Sequence, residues 1–395
     1  MNKLLLSSEV QSFIKNNINT DINKLLLKGS SFEGISAQEL VTQIISKKKS
    51  EKKLPTWFET EGIFYPPKLN IEQTSSEITA AYKSNLLKGN SLIDITGGLG
   101  IDCFYFSKKF RKIIHCEMNT DLSEIANYNF KQLQVNNIET IAKNGLSYLE
   151  NNNEKFDCIY IDPSRRSDIK GKVFLLKDCV PNVPENLEFL FSKSNTILIK
   201  NSPILDISST LEELKFVKEI HVVAVKNEVK ELLFLLKKDF KGEIIIKTIN
   251  HLTTKNQSFN FTRGCEIDTE YGEPLTYLYE PNSAILKAGA FDEIAKEYSL
   301  FKLHKHSHLY TSEKKILDFP GRIFNIVKTF DYNKKRLKRE IKEDKANVTT
   351  RNFPKSVEQL RKETKLKDGG DHYIFFTTNI NNKLIVIECK KPENA

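Results

Sequence analysis

The sequence predicts an α/β protein: a doubly wound parallel sheet closed by an antiparallel hairpin, with a helical segment before it and an α+β region after it. Three observations carry this expectation. From Ser91 to Leu236 short apolar β-like runs alternate with helical stretches, the pattern of a parallel sheet covered on both faces. A glycine-rich turn, Asp94-Ile95-Thr96-Gly97-Gly98-Leu99-Gly100-Ile101-Asp102, follows the first run. The last two runs, 219–225 and 231–236, are joined by Lys226-Asn227-Glu228 with no crossover, so they form an antiparallel pair. A length of 395 residues allows two or three domains at roughly 150 residues each.

Residues 1–70 read as a helical segment, with apolar residues at helical spacing in Val10, Phe13, Ile14 and Ile18 and again in Leu40, Ile44 and Ile45. Tyr65-Pro66-Pro67 interrupts it. Residues 71–87 resume as one helix whose start is marked by Thr74, Ser75 and Ser76, with Glu77 three residues after Thr74. The strands follow at 92–95, 112–117, 139–142, 157–161 and 195–199, ahead of the hairpin. The helices between them fall at 99–109, 120–135, 145–151, 184–192 and 206–214. Beyond Gly242 the periodicity changes, with strands at 243–249, 373–377 and 384–389 and helices at 283–297 and 354–365. The domains read as 1–70 helical, 71–240 α/β, 241–320 a small α+β linker module compatible with a ferredoxin-like arrangement, and 321–395 a basic module.

Composition narrows the function. Hydrophobic residues are 39% and charged residues 28%, a globular balance. The longest apolar runs, such as Leu232 to Leu236, fall far short of the roughly 20 residues that cross a bilayer. No membrane partner is expected, and the N-terminus lacks a secretory pattern, so the expected location is the cytoplasm. The six cysteines have no C-x-x-C pair and no histidine at zinc spacing, so they read as free thiols and no metal is expected. Cys179 reads as a buried thiol. His304, His306 and His308 alternate along what reads as one strand face, but no further ligand completes a site. The net charge of +9 is uneven. The run Lys334 to Lys342, containing Lys334, Lys335, Arg336, Lys338 and Arg339, holds six basic residues against one acidic. It reads either as a polyanion contact or as a solvated helix face.

The glycine turn at 94–102 permits close ligand approach and precedes the free N–H groups of a helix start. Glu117 ends the next strand, where a carboxylate accepts hydrogen bonds from both hydroxyls of a ribose. A dinucleotide fingerprint requires a small residue at 103, and Cys103 stands there, which turns the reading toward S-adenosylmethionine. Asn144-Gly145, after the third strand, offers a polar side chain to the adenine or forms a simple turn. Asp162-Pro163-Ser164-Arg165-Arg166 ends the fourth strand, and strand C-termini line the ligand crevice, so Asp162 faces the reacting atoms.

Residues 71–236 resemble the class I S-adenosylmethionine-dependent methyltransferases, with their Rossmann-like sheet. The set EQTSSEITAAYK (72–83), DITGGLGID (94–102) and DPSRR (162–166), with the basic C-terminal region, resembles the bacterial methyltransferases that carry a C-terminal THUMP-like domain. The resemblance implies that Asp94, Thr96, Gly97, Gly98, Gly100 and Asp102 belong to the cofactor loop, that Glu117 takes the ribose and Asn144 the adenine, and that Ser76 lies in a segment closing the pocket. It implies that Asp162 and the Pro163 carbonyl accept from an exocyclic amine, as in enzymes that methylate amino groups of nucleic acids. Ser164 and Arg165 depart from that motif. A guanidinium stacks on a base or binds phosphate, which gives Arg165 and Arg166 an RNA role. The Asp-Pro-x-Arg string is also similar to enzymes that methylate uracil carbon through a cysteine, but Lys200-Asn201-Ser202-Pro203 offers none. A THUMP-like module implies structured RNA, tRNA or rRNA, as partner. Between Gly321 and Lys365 there are 14 basic and six acidic residues. The expectation is a methyltransferase acting on a base nitrogen in RNA; the alternatives are a protein or small-molecule acceptor, or a non-catalytic RNA-binding protein on the same scaffold.

Overall fold

A computed structural model describes residues 1–165 and 175–392. It divides into two compact units, Met1–Glu219 with Leu232–Gly242, and Ile220–Glu231 with Glu243 onward.

The first unit begins with helices α1 (Ser8–Asn16), α2 (Ile22–Lys28), α3 (Ala37–Lys53), α4 (Pro55–Glu59), α5 (Lys68–Gln73) and α6 (Glu77–Ser84). Ser36 and Glu39 form a reciprocal capping box at the start of α3. The α5–α6 region corrects the sequence reading of one helix over 71–87. The chain breaks at Thr74 and Ser75, and the cap of α6 is Ser76, whose Oγ accepts from the Thr79 N–H at 3.3 Å. Glu77 serves a different purpose from a capping-box acid. It accepts from Thr56 N–H and Oγ1, both at 2.7 Å, and from the Tyr105 hydroxyl at 2.6 Å. One carboxylate thereby ties three helices together. Asn129 docks the preceding segment in the same manner, exchanging two hydrogen bonds of 2.9 Å with the Phe64 backbone.

The α/β part follows in the expected alternation: β1 (Ser91–Asp94), α7 (Ile101–Ser107), β2 (Lys112–Cys116), α8 (Thr120–Gln132), β3 (Ile138–Ile141), α9 (Gly145–Glu150), β4 (Cys158–Ile161), a two-residue ladder of β5 (Ser164–Arg165) with β6 (Cys179–Val180), α10 (Val183–Lys193), β7 (Thr196–Asn201) and α11 (Ile207–Glu213). Then come β8 (Val217–Val225) and β9 (Glu228–Lys237). The first unit's sheet runs β9-β7-β4-β1-β2-β3, with β9 antiparallel to β7 and the other pairs parallel. The order reverses between β1 and β4, the point where doubly wound sheets bind ligands. Ile93, Ile113, Ile114, Ile159, Ile161 and Ile197 are wholly buried because helices cover both faces. Each such side chain contributes roughly 1.5–3 kcal/mol on burial. Lys226 and Asn227, between β8 and β9, both have positive φ (52° and 62°), the backbone of a tight hairpin turn. The division between units passes through β8 and β9.

The second unit continues with β10 (Ile245–His251), β11 (Gln257–Thr262), β12 (Tyr277–Pro281), α12 (Ser283–Ala288), α13 (Phe291–Glu297), β13 (Phe301–Lys302), β14 (Tyr310–Ser312), β15 (Gly321–Asp331), α14 (Lys334–Glu340), β16 (Asn347–Arg351), α15 (Val357–Thr364), β17 (His372–Thr378) and β18 (Leu384–Lys390). Seven strands form one sheet in the order β13-β14-β12-β15-β18-β17-β16. Phe324, Phe375, Ile387 and Leu278 pack on one of its cores, and Phe330, Leu337, Leu360 and Phe376 on another. The single helix expected over 283–297 is two, separated by Gly289 at φ 74°. The histidine reading is also corrected. Residues 303–309 are an irregular loop, in which His304 Nδ1 accepts from the His306 N–H at 3.1 Å and lies 2.9 Å from Asn352 Nδ2, while His308 stacks on Phe291.

Candidate functional site

A cavity of about 300 Å³ opens at the carboxyl ends of β1, β2 and β4. Its lining includes Asn70, Gln73, Thr74 and Ser75 from the α5–α6 break, Asp94 to Leu99, Asp102, Glu117, Met118, Asn144, Tyr160, Asp162, Ser164 and Pro181.

Asp94 ends β1 and is 1% exposed. Its Oδ1 accepts from the Thr96 N–H (2.9 Å) and hydroxyl (3.1 Å), and its Oδ2 from the Cys103 thiol at 3.4 Å. Burial outweighs these donors and pushes its pKa up to about 7. Burial beside Asp94 likewise raises the Cys103 thiol. The loop is compact because it lies against β2: a Cβ on Gly97 would stand 2.3 Å from His115 Nε2. Gly100 has φ 82°, and a Cβ there would meet Phe130 Cζ at 2.3 Å.

Glu117 stands just past β2. Its Oε2 accepts from the Gly98 N–H and its Oε1 from the Asn119 N–H, each at 2.8 Å. Each oxygen keeps a lone pair for a ligand. Asn144 caps α9, its Oδ1 accepting from the Leu146 and Ser147 N–H groups, and it belongs to the cavity lining.

Asp162 follows β4. Its backbone N–H donates to Thr96 Oγ1 at 2.7 Å, so the loop after β1 and the loop after β4 are hydrogen-bonded to one another. Its carboxylate Oδ2 is ion-paired with Lys200 Nζ at the end of β7. Ser164 and Arg165 continue into β5, opposite Val180 and Cys179. Arg166 lies outside the described residues. Cys179 is buried, and Pro181, two residues on, reaches the cavity.

Among the sequence-chosen cofactor and catalytic residues whose side chains are described, three sit apart from the lining. Ser76 is occupied as the cap of α6, and its neighbour Ser75 takes the place at the cavity; Gly100 is a packing position; Pro163 is bracketed by Asp162 and Ser164, which both line it. Asp102 lines the cavity, but its oxygens are engaged within the protein. Oδ2 accepts from Ser75 Oγ and the Tyr160 hydroxyl, both at 2.8 Å, and Oδ1 lies 3.2 Å from Lys83 Nζ. Lys83 is completely buried, and its ammonium also donates to Ser75 Oγ at 3.1 Å. The segment Gln73 to Thr79, expected to close the pocket, does reach it through Gln73, Thr74 and Ser75, whereas sequence reasoning missed Lys83, Tyr160 and Lys200. Of these Lys200 had a signal, since it directly follows a predicted strand and strand C-termini face the crevice.

In the second unit, Lys334, Lys335, Arg336, Lys338 and Arg339 form α14, a short exposed helix anchored by buried Leu337. Part of its charge is met locally, Arg339 at 2.9 Å and Arg336 at 3.9 Å from Glu340, and Lys334 at 3.8 Å from Glu363. Nearby, Glu343, His372 and Glu388 bring ligand-type atoms within 4.8 Å of one another, and the Lys328 ammonium, 3.2 Å from Glu388, makes this an ion-pair cluster. Among the described residues no helix is long and apolar enough to cross a membrane.

Comparison with known proteins adds four findings. Residues 277–320 match a family model described as a ferredoxin-like domain, and residues 321–391 match one described as THUMP domain-like. The crystal structure of a "putative methyltransferase" from Porphyromonas gingivalis W83 is 33% identical, covers 99% of both chains and superposes with a TM-score of 0.88. An uncharacterized RNA methyltransferase of Mycoplasma mobile is 28% identical over 153 residues, 37% of this chain. The chain spans 41% of the length of that curated relative.

Proposed function

The chain belongs to the methyltransferases that carry a C-terminal THUMP-like domain, and from that premise we propose that it transfers a methyl group from S-adenosylmethionine to a base nitrogen of tRNA or rRNA. One observation carries the reading: Asp162, Asp94 and Glu117 converge on a single cavity at the reversal point of the first unit's sheet. The name of the Mycoplasma mobile relative and the THUMP-like match support RNA as the acceptor.

The donor set suits this cofactor. Glu117 keeps lone pairs for the ribose diol, Asn144 keeps an amide Nδ2 for the adenine, and buried Asp94 offers a carboxylate to an α-ammonium. When bound, S-adenosylmethionine supplies an electrophilic methyl on a sulfonium. The chain's own residues orient the nucleophile. The Thr96 hydroxyl fixes the Asp162 backbone, and Lys200 holds one carboxylate oxygen. The other oxygen and the Pro163 carbonyl then accept the two hydrogens of an exocyclic amine, which points its lone pair away from them. Catalysis of this kind is positioning. Arg165 and Arg166 follow at once in the sequence and supply positive charge for a phosphate or base.

The test is transfer of labelled methyl from S-adenosylmethionine to size-fractionated RNA from a strain lacking this chain. The intact protein labels one fraction. Asp162→Ala abolishes transfer while S-adenosylhomocysteine still binds, whereas Glu117→Ala weakens that binding first, by about 10–100-fold for the loss of hydrogen bonds to a charged group. Equal loss of binding in both variants refutes the division of roles. Cofactor binding without label in any RNA points to a protein or small-molecule acceptor.

A further inference from the structure

The second unit holds an arrangement suited to an anion. Glu280 on β12 is 3% exposed, yet two guanidiniums from separate strands close on it. Arg322 is its direct partner across the β12–β15 ladder and donates from Nε at 2.7 Å and from Nη2 to the same Oε2. Arg351, at the end of β16, donates from Nη2 to Oε1 at 2.7 Å and from Nη1 to the Thr350 carbonyl at 3.2 Å. The two arginine side chains remain 45% and 35% exposed, while that of Glu280 is 4% exposed. The carboxylate is thus buried and the cations face outward, leaving a net charge of +1. Among the described residues the Nη1 group of Arg322 has no protein partner.

The fit around this cluster is close. A Cβ on Gly321 would stand 2.1 Å from the Glu280 carbonyl oxygen, so any side chain there forces the two strands apart. The Arg322 guanidinium lies over the Phe324 ring at 5.4 Å, a further restraint. The positive surroundings reach His308, which burial first, and then the charges of Lys302, His306 and Arg351, push down to about 4. A guanidinium held in advance loses less freedom on binding than a free surface lysine, and its planar fork matches phosphate oxygens in pairs. Lys335 and Lys338 on α14 are exposed without such an anchor.

We propose that Arg322 and Arg351, clamped on buried Glu280, form a phosphodiester-binding site by which the second unit grips an RNA backbone. This rests on the RNA reading given above. The net charge of the cluster, the part-exposed side chains of both arginines and the place of those arginines on strands that the THUMP domain-like match includes all serve that role.

Fluorescein-labelled bulk tRNA and ribosomal RNA, titrated separately with the full chain across about 50 to 300 mM KCl, test it. The Arg322→Ala/Arg351→Ala variant is expected to lose affinity about tenfold at about 100 mM KCl, and its slope of log affinity against log salt becomes shallower by about 1 to 2. Arg322→Lys/Arg351→Lys keeps the charge but not the fork and also weakens binding. Glu280→Gln is the sharper probe, because it adds a net positive charge while freeing both arginines. General charge attraction makes it bind tighter; an anchored site makes it bind more weakly. Circular dichroism and melting curves verify that each variant is folded. Unchanged affinity in the alanine variant, or tighter binding by Glu280→Gln, overturns the anchor while RNA binding stands. Failure of the unaltered chain to bind either RNA overturns the RNA reading, and the anchor with it.

Discussion

Replacing Asp94 by Asn removes a buried carboxylate whose pKa burial pushes up to about 7, and the consequence for stability has a definite sign. Burial raises the Asp94 pKa to about 7 from 3.8, so between those values the folded chain holds a proton that the unfolded chain has released. Stability therefore falls as pH rises through that window, at about 1.4 kcal/mol per unit, and stops falling above about pH 7. Over pH 5 to 7 the loss is roughly 2–3 kcal/mol, which for a unit of this size is a drop in Tm of roughly 5–10 °C. Asn at 94 has the same shape and no proton to lose, so its melting profile lacks this descent. The assay is thermal unfolding of both proteins, without cofactor, at intervals from pH 5 to 8. The difference between the two curves cancels the titrating groups that residue 94 does not touch. Melting temperatures that run parallel across the range refute the argument, since they mean that Asp94 is ionised throughout. The same carboxylate is expected to favour an ammonium ligand once it has lost its proton, so S-adenosylhomocysteine binds the unaltered chain more tightly as pH rises to about 7. The Asn variant shows no such rise.

Further expected outcomes are as follows. Lys200→Met leaves Asp162 without its tether and lowers kcat roughly 100-fold, the scale of a small misplacement of a positioning group, with S-adenosylhomocysteine affinity little changed; Lys200→Arg recovers part of the loss. A matching fall in cofactor affinity means that Lys200 supports the fold instead. Gly100→Ala destabilises by about 2–4 kcal/mol, the combined cost of a left-handed backbone and of crowding Phe130, and chemical denaturation measures it. Cys265 is the exposed one of the six cysteines, so a thiol reagent modifies one residue quickly in the folded chain and the other five only on unfolding.

Much of the first unit was legible because its elements are local. Runs such as 92–95 and 157–161 are apolar throughout, as strands buried on both faces must be, and the structure shifts their ends by only a residue or two. Glu117 and Asp162 were legible for a related reason, since a strand's end in such a sheet is also a place at the crevice. Contacts that depend on distant chain segments were not legible. No local pattern marks Lys83 as the buried partner of Asp102, or Lys200 as the partner of Asp162. The α6 cap was misread because three successive hydroxyl residues, Thr74, Ser75 and Ser76, all satisfy the cap preference, and tertiary demand for Glu77 decided among them. β15 was not legible because most of its residues are half-buried or exposed, which blurs the contrast between its two faces.

The interior position of β18 sets the order in which the second unit can be completed. β18 lies between β15 and β17, and it follows both of them and β16 in the sequence. As the polypeptide emerges during synthesis, β12 and β15 can pair early, but the half of the sheet made by β16 and β17 has nothing to join until residues 384–390 arrive. Such late, non-local closure makes folding slow and leaves two unpaired strand edges waiting in the meantime. A stop codon ahead of residue 384 therefore removes the strip that fastens one half of the sheet to the other, so premature termination there is expected to yield an aggregating product rather than a slightly shorter working one.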